Sequence, residues 1–278
     1  MSSPTAMPMR HVEHCMGTVF SFDVRSPGID RATLDSALAW LHHVDATFST
    51  YRPDSVISKL ATGSIRQGQL SEQVRTVLDQ CAELTTLTDG YFSAHANGDL
   101  DPSGYVKGWA IEIASDILES AGSRNHCING GGDVQCVGRP EPGQPWRVGV
   151  SDPLHAGRLV QTIQGYGRLA VATSGTAERG THITDPHTRR PPTGLASVTV
   201  VGANLTLVDA YATAAFAMGS AAQNWLAGIA TITSVVVLDD GTVIVDPAPA
   251  VAETGHSRLV RASRSASAAG SAGPRSSR

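Results

Sequence analysis

The sequence predicts an α+β fold, with a mixed, largely antiparallel sheet or sheets flanked by helices. Three observations point there. Apolar residues recur at helical spacing in four separate stretches. Short strand-like runs, broken by glycine-containing turns, gather between residues 127 and 202. Helices and strands also fall into partly segregated runs and do not alternate strictly. With 278 residues, 41% of them hydrophobic, the chain can bury a sizeable core as one large domain or two merged ones.

Gly17 to Arg25 (GTVFSFDVR) is β-rich with partial alternation, and reads as a strand. Asp30 to Phe48 reads as a helix, with Leu34, Leu38, Leu41 and Val44 on one face. Ser71 to Thr88 is a second helix, and Gly90 to Asp101 is irregular. Gly104 to Ala121 carries the clearest stripe: Val106, Trp109, Ala110, Ile113, Ala114, Ile117 and Leu118, with Glu112, Asp116 and Glu119 opposite. Strands are expected at Cys127–Asn129, Val134–Val137, Trp146–Val150, Leu169–Thr173 and Ser197–Gly202. A helix from about Thr206 to Met218 follows, then a short one over Ser220–Ala227 and a hairpin of Ser234–Leu238 with Thr242–Val245. Beyond Val251 the composition collapses to Ser, Ala, Gly and Arg. The expected organisation is therefore one domain over residues 10–250 and a disordered basic tail over 251–278.

Charge narrows the function. The chain has 25 acidic and 21 basic residues, and five of the basic ones are tail arginines. An acidic body argues against nucleic acid as a partner and suits a site that holds a cation. Cys15, Cys81, Cys127 and Cys136 form no CxxC pair, so a zinc ribbon is not expected and reduced thiols are. The first 14 residues contain no apolar run, and no stretch reaches the roughly 20 apolar residues of a membrane helix. The expectation is a cytoplasmic protein without membrane insertion.

Several constellations could carry chemistry. Asp209 and Thr213 stand four apart on a nearly all-apolar helix, so they share a face. Their oxygens suit a hard cation such as Mg²⁺. The alternative is a capping box between Thr206 and Asp209. Asp101-Pro102-Ser103-Gly104-Tyr105-Val106-Lys107-Gly108 enters the third helix, whose free N–H groups and positive dipole end favour phosphate. Lys107 borders the apolar stripe there, and the plainer reading is a lysine whose stem covers apolar surface. Asn129-Gly130-Gly131-Gly132-Asp133 is a turn that allows close backbone approach. Tyr51 could stack on a flat ring or belong to the core. His182 could act as a base or be structural. A hydrolase triad of Ser174, His182 and Asp185 lacks the GxSxG elbow.

Taken together, MGT (16–18), FSTY (48–51), DSVIS (54–58), DPSGYVKGWA (101–110), INGGGD (128–133), ATSG (172–175), HITDP (182–186) and DAYATA (209–214) resemble the FAD:protein FMN transferases, the ApbE family, over about residues 12–246. The resemblance implies an ApbE-like fold and a metal-dependent transfer of FMN from FAD to a Thr or Ser side chain of an acceptor protein, with release of AMP. It implies metal ligands at Asp209, Thr213 and the backbone oxygen of Gly104. It implies FAD contacts at Met16, Tyr51, Asp101, Lys107 and Ile183, and a catalytic His182. FAD is then a substrate, Mg²⁺ the cofactor, and the partner an acceptor protein bearing a Ser/Thr flavinylation motif. Two departures stand out. Ser93 occupies a position where the family often has Asp, and the segment before Asp101 is short. Two rivals remain: an FAD pyrophosphatase giving FMN and AMP, and a non-catalytic flavin carrier.

Overall fold

Along Thr18–Val24 the buried residues Phe20, Phe22 and Val24 alternate with more exposed neighbours, as a strand with one face on a core requires. This is β2 of a computed structural model that describes residues 8–176, 183–246 and 257–260. In chain order the elements are β1 (Met9–Cys15), β2 (Thr18–Val24), α1 (Arg31–Phe48), α2 (Val56–Ala61), α3 (Glu72–Leu87), α4 (Ser103–Ser120), β3 (His126–Gly130), β4 (Asp133–Val137), β5 (Trp146–Ser151), β6 (Leu159–Gly165), β7 (Leu169–Gly175), β8 (Leu195–Gly202), α5 (Leu205–Met218), α6 (Ala222–Ala227), β9 (Thr233–Leu238), β10 (Val243–Asp246) and β11 (Ser257–Val260).

Eight strands form an antiparallel sheet in the order β1-β2-β3-β4-β7-β8-β9-β10. A second sheet has the order β11-β6-β5. Helices α1, α3, α4 and α5 bury Leu41, Val77, Ile111 and Ala215 with Phe20, Ile128 and Val198 of the large sheet. The other core joins Val134, Val171 and Val201 of that sheet to Trp146, Val150 and Ile163 of the small one. The large sheet is thus covered on both faces. That is why β8 is buried at seven of its eight positions and reads as a continuous apolar run. The expected α+β class is the one found.

The helix boundaries match the apolar periodicity, and caps fix them. Asp30 accepts the Thr33 N–H at 2.8 Å at the start of α1, and Ser71 accepts that of Val74 at the start of α3. Besides β11, three elements were not expected. β1 alternates, but mostly with His, Glu and Arg; β6 buries Gln161 beside Ile163; and α2 is too short for a periodic signal. Within the expected tail, the segment Ser257–Val260 pairs antiparallel with β6. Its Leu-Val end suits a strand, and β6 offers an otherwise open edge. The rest of 251–278 lies outside the described residues. Leu205–Ala227 is long and apolar enough to cross a membrane, but it is 67% buried within the fold, as a core helix is. The four cysteines are free, and Cys127 faces Cys136 across β3 and β4 with sulfurs 3.2 Å apart.

Candidate functional site

A cleft of about 1100 Å³ opens beside the ends of α4 and α5, the size range of small-molecule and cofactor sites. Met16, Tyr51, Asp101, Gly104, Lys107, Ile183, Asp209 and Thr213 all line it. Residues from five well-separated parts of the chain therefore meet at one place. His182 lies outside the described residues, immediately before Ile183.

Local structure explains how each arrives. Met16 and Gly17, with φ of 52° and 68°, form the two-residue turn that closes the β1–β2 hairpin between Cys15 and Thr18. Tyr51 follows the end of α1 and is 94% exposed, so it is a wall residue and not part of the core. Its loop is braced from below, where the Ser55 hydroxyl donates to the Ser49 carbonyl at 2.7 Å. Asp101 accepts the Ser103 N–H at 3.0 Å and so caps the first turn of α4. Ser93 accepts the His95 N–H at 3.0 Å and turns its loop along the same wall.

The floor is made where α4 crosses α5. The Gly104 backbone packs against the Thr213 side chain, and a Cβ placed on Gly104 would stand 3.3 Å from Thr213 Cγ2. Asp209 is 3% exposed. Its Oδ2 accepts the Gly108 N–H at 2.9 Å, while its Oδ1 is 4.0 Å from Lys107 Nζ. Thr213 Oγ1 is 3.5 Å from Ser174 Oγ. The capping-box alternative fails. Asn204 caps α5 by accepting the Leu207 N–H, while the Thr206 hydroxyl donates to Glu112 at 2.6 Å. Glu112 itself leaves the expected solvent face of α4. It is buried, accepts from Asn204 and both donors of Thr206, and pairs with Arg168 at 3.3 Å.

The sequence marked residues 129–133 as a turn that allows close backbone approach and gave Asp133 no role. Asp133 is fully buried, with Oδ2 2.6 Å from Lys107 Nζ and Oδ1 accepting the Thr173 N–H at 3.2 Å. The signal was present: an acid opening the apolar strand Val134-Gln135-Cys136-Val137 must find a partner. Two carboxylates thus share one ammonium in a buried setting. Burial first, and the Asp133 charge second, push the Asp209 carboxyl above the usual range, while Lys107 and the Gly108 N–H pull it back. This imbalance of negative charge favours a further cation. Among the described residues no group of three or more His, Cys, Asp and Glu could hold a metal, so a cation here depends on mixed oxygen donors. Carboxylate, hydroxyl and carbonyl oxygens at Asp209, Thr213 and Gly104 are such a set and fit a hard divalent ion.

A helix-covered antiparallel sheet with a large cleft lined by Lys107 and Asp209, and with buried Asp133 behind Lys107, defines an α+β protein with a polar ligand site. The chain belongs to the ApbE family, whose model matches residues 16–98 and 93–236. A Rhodobacter capsulatus protein named FAD:protein FMN transferase is 32% identical over 235 residues, which take in 80% of this chain and 42% of that protein. This chain therefore spans less than half the length of that relative. A Vibrio cholerae protein of the same name is 28% identical, over 73% of this chain and 79% of its own length. Among solved structures, the ApbE protein of Thermotoga maritima superposes with a TM-score of 0.76 at 23% identity, covering 86% of this chain and 97% of that one. The flavin transferase ApbE of Vibrio cholerae gives 0.73 at 22% identity, covering 87% and 98%.

Proposed function

We propose that this chain transfers FMN from FAD to a Ser or Thr hydroxyl of an acceptor protein, releasing AMP and using a divalent cation, Mg²⁺. One observation carries the reading. The eight described positions that resemble the family's FAD and metal positions line a single cleft, and its buried floor is short of positive charge. The names of the relatives point the same way.

Asp209, Thr213 and the Gly104 carbonyl are the residues that would hold the cation. When bound, Mg²⁺ supplies Lewis-acid charge neutralisation at a pyrophosphate. The chain's own residues do the rest. Tyr51, exposed at the rim, offers a ring face for a flat heterocycle. The positive dipole end of α4, together with Lys107, sets positive potential towards phosphate. His182, adjacent to cleft residue Ile183, takes the proton of the acceptor hydroxyl as its oxygen attacks the FMN phosphorus. The P–O–P bond breaks and AMP leaves.

The test is incubation with FAD, Mg²⁺ and an acceptor carrying a Ser/Thr motif, followed by mass spectrometry of the acceptor and assay of AMP. Stoichiometric flavin labelling with AMP is the expected result. AMP at the same rate without acceptor, and no label, would instead identify a pyrophosphatase. No turnover at all would leave a carrier.

A further inference from the structure

Lys107 stands between two buried carboxylates and is not equidistant from them. Its Nζ is 2.6 Å from Asp133 Oδ2 and 4.0 Å from Asp209 Oδ1. The two acids are held differently. Asp209 comes from the middle of α5, with Oδ2 committed to the Gly108 N–H. Asp133 opens β4 directly after the Gly131-Gly132 turn, and its Oδ1 is fixed by the Thr173 N–H of the neighbouring strand β7. The sheet therefore holds Asp133 rigidly, whereas lysine rides on a flexible four-carbon stem. An ammonium drawn fully onto Asp209 would occupy the one oxygen of that carboxylate which no backbone group has taken.

We infer that Asp133 is a positioning residue that holds the Lys107 ammonium off Asp209 and so keeps Asp209 Oδ1 open to the divalent cation. The inference rests on the cation site proposed above. Its physical basis is competition. Coulomb attraction rises as separation falls and is weakly screened in a buried site. With Asp133 in place, Lys107 has a closer partner. With Asp133 neutralised, the nearest full negative charge is Asp209, and a monovalent ammonium blocks the divalent ion.

The test is Mn²⁺ binding to the full chain alone, read by the electron paramagnetic resonance of free Mn²⁺, so that turnover plays no part. Asp133→Asn keeps the side-chain volume and an oxygen for the Thr173 N–H. It is expected to weaken Mn²⁺ by about tenfold, the scale of one charge-assisted contact. Adding Lys107→Met to Asp133→Asn removes the competitor and is expected to restore wild-type affinity. Lys107→Met alone leaves both carboxylates unopposed and is expected to bind Mn²⁺ more tightly than wild type. This third variant also carries the test if Asp133→Asn fails to fold. Unchanged Mn²⁺ affinity in Asp133→Asn, no rescue in the double variant, or weaker binding in Lys107→Met would overturn the positioning role while leaving the cation site standing. A wild-type chain that binds no Mn²⁺ would overturn the cation site and this inference with it.

Discussion

The Oδ2 of Asp209 accepts the backbone N–H of Gly108 at 2.9 Å, and this contact ties α5 to α4 at a point where only a glycine fits. A Cβ on residue 108 would stand 2.7 Å from the Leu205 carbonyl oxygen and 2.8 Å from Asp209 Cβ. Gly108→Ala must therefore push the two helices apart. The expected loss is about 2 kcal/mol, as for an overpacked core, seen as a lower melting temperature together with weaker metal dependence. A variant that melts and turns over as wild type would show that the helices yield freely here.

Asp209→Ala removes the charged member of the proposed cation set. Neutral oxygens alone bind Mg²⁺ weakly, so AMP release at saturating FAD should fall to background across a Mg²⁺ titration. Retained activity with the same Mg²⁺ dependence would move the metal elsewhere.

Tyr51 is 94% exposed, so its loss should not change the melting temperature. Stacking on a heterocycle contributes roughly 1 kcal/mol. Tyr51→Ala should therefore raise the KM for FAD by about fivefold with kcat little altered, measured by steady-state AMP release. An unchanged KM would leave the ring without a ligand.

His126 is completely buried between the hydroxyls of Ser115 at 2.8 Å and Ser123 at 3.0 Å. Burial, with a contribution from Arg168, pushes its pKa down to about 4. The unfolded chain binds this proton near the ordinary value of about 6.5. Stability is therefore full above that value and is lost as pH falls towards 4, because the unfolded state alone takes up the proton. Between pH 7.5 and pH 5 the loss from this one group is about 2 kcal/mol. Urea unfolding should show it, and His126→Gln should flatten that window. A mutant curve parallel to wild type would assign the acid sensitivity to other groups.

His182→Ala should slow transfer to the acceptor by roughly 10²–10⁴-fold, the usual scale of acid–base catalysis. FAD affinity should change little, since the imidazole acts on the acceptor hydroxyl. The rise of wild-type rate with pH should vanish in the variant. A parallel pH–rate profile would make this histidine a brace for the turn at Asp185 and Pro186.

Helices α1, α3 and α4 were legible because each keeps a one-sided apolar period, as Leu34, Leu38 and Leu41 do on α1. The edge strand β1 was not, because a strand with little to bury carries little apolar signal. Asp209 and Thr213 were readable as a pair because two polar groups break an otherwise apolar helix. Asp133 and Glu112 were harder, since their partners stand far away in the sequence. Lys107 reaches Asp133 across 26 positions, and Glu112 meets Thr206 across 94. Glu112 also occupied a position that the wheel assigns to solvent. What hides it is α5, which covers that side of α4.

The cleft is built from two kinds of material. Its floor belongs to α4 and α5, locked together through Gly108 and Glu112. Much of its wall belongs to connecting segments, the β1–β2 turn at Met16 and the loops at Tyr51 and Ser93. Such a division separates a rigid base from a variable rim. Loops exchanged between homologues should therefore change what the rim grips, the Tyr51 ring included, while the α4–α5 crossing keeps its geometry.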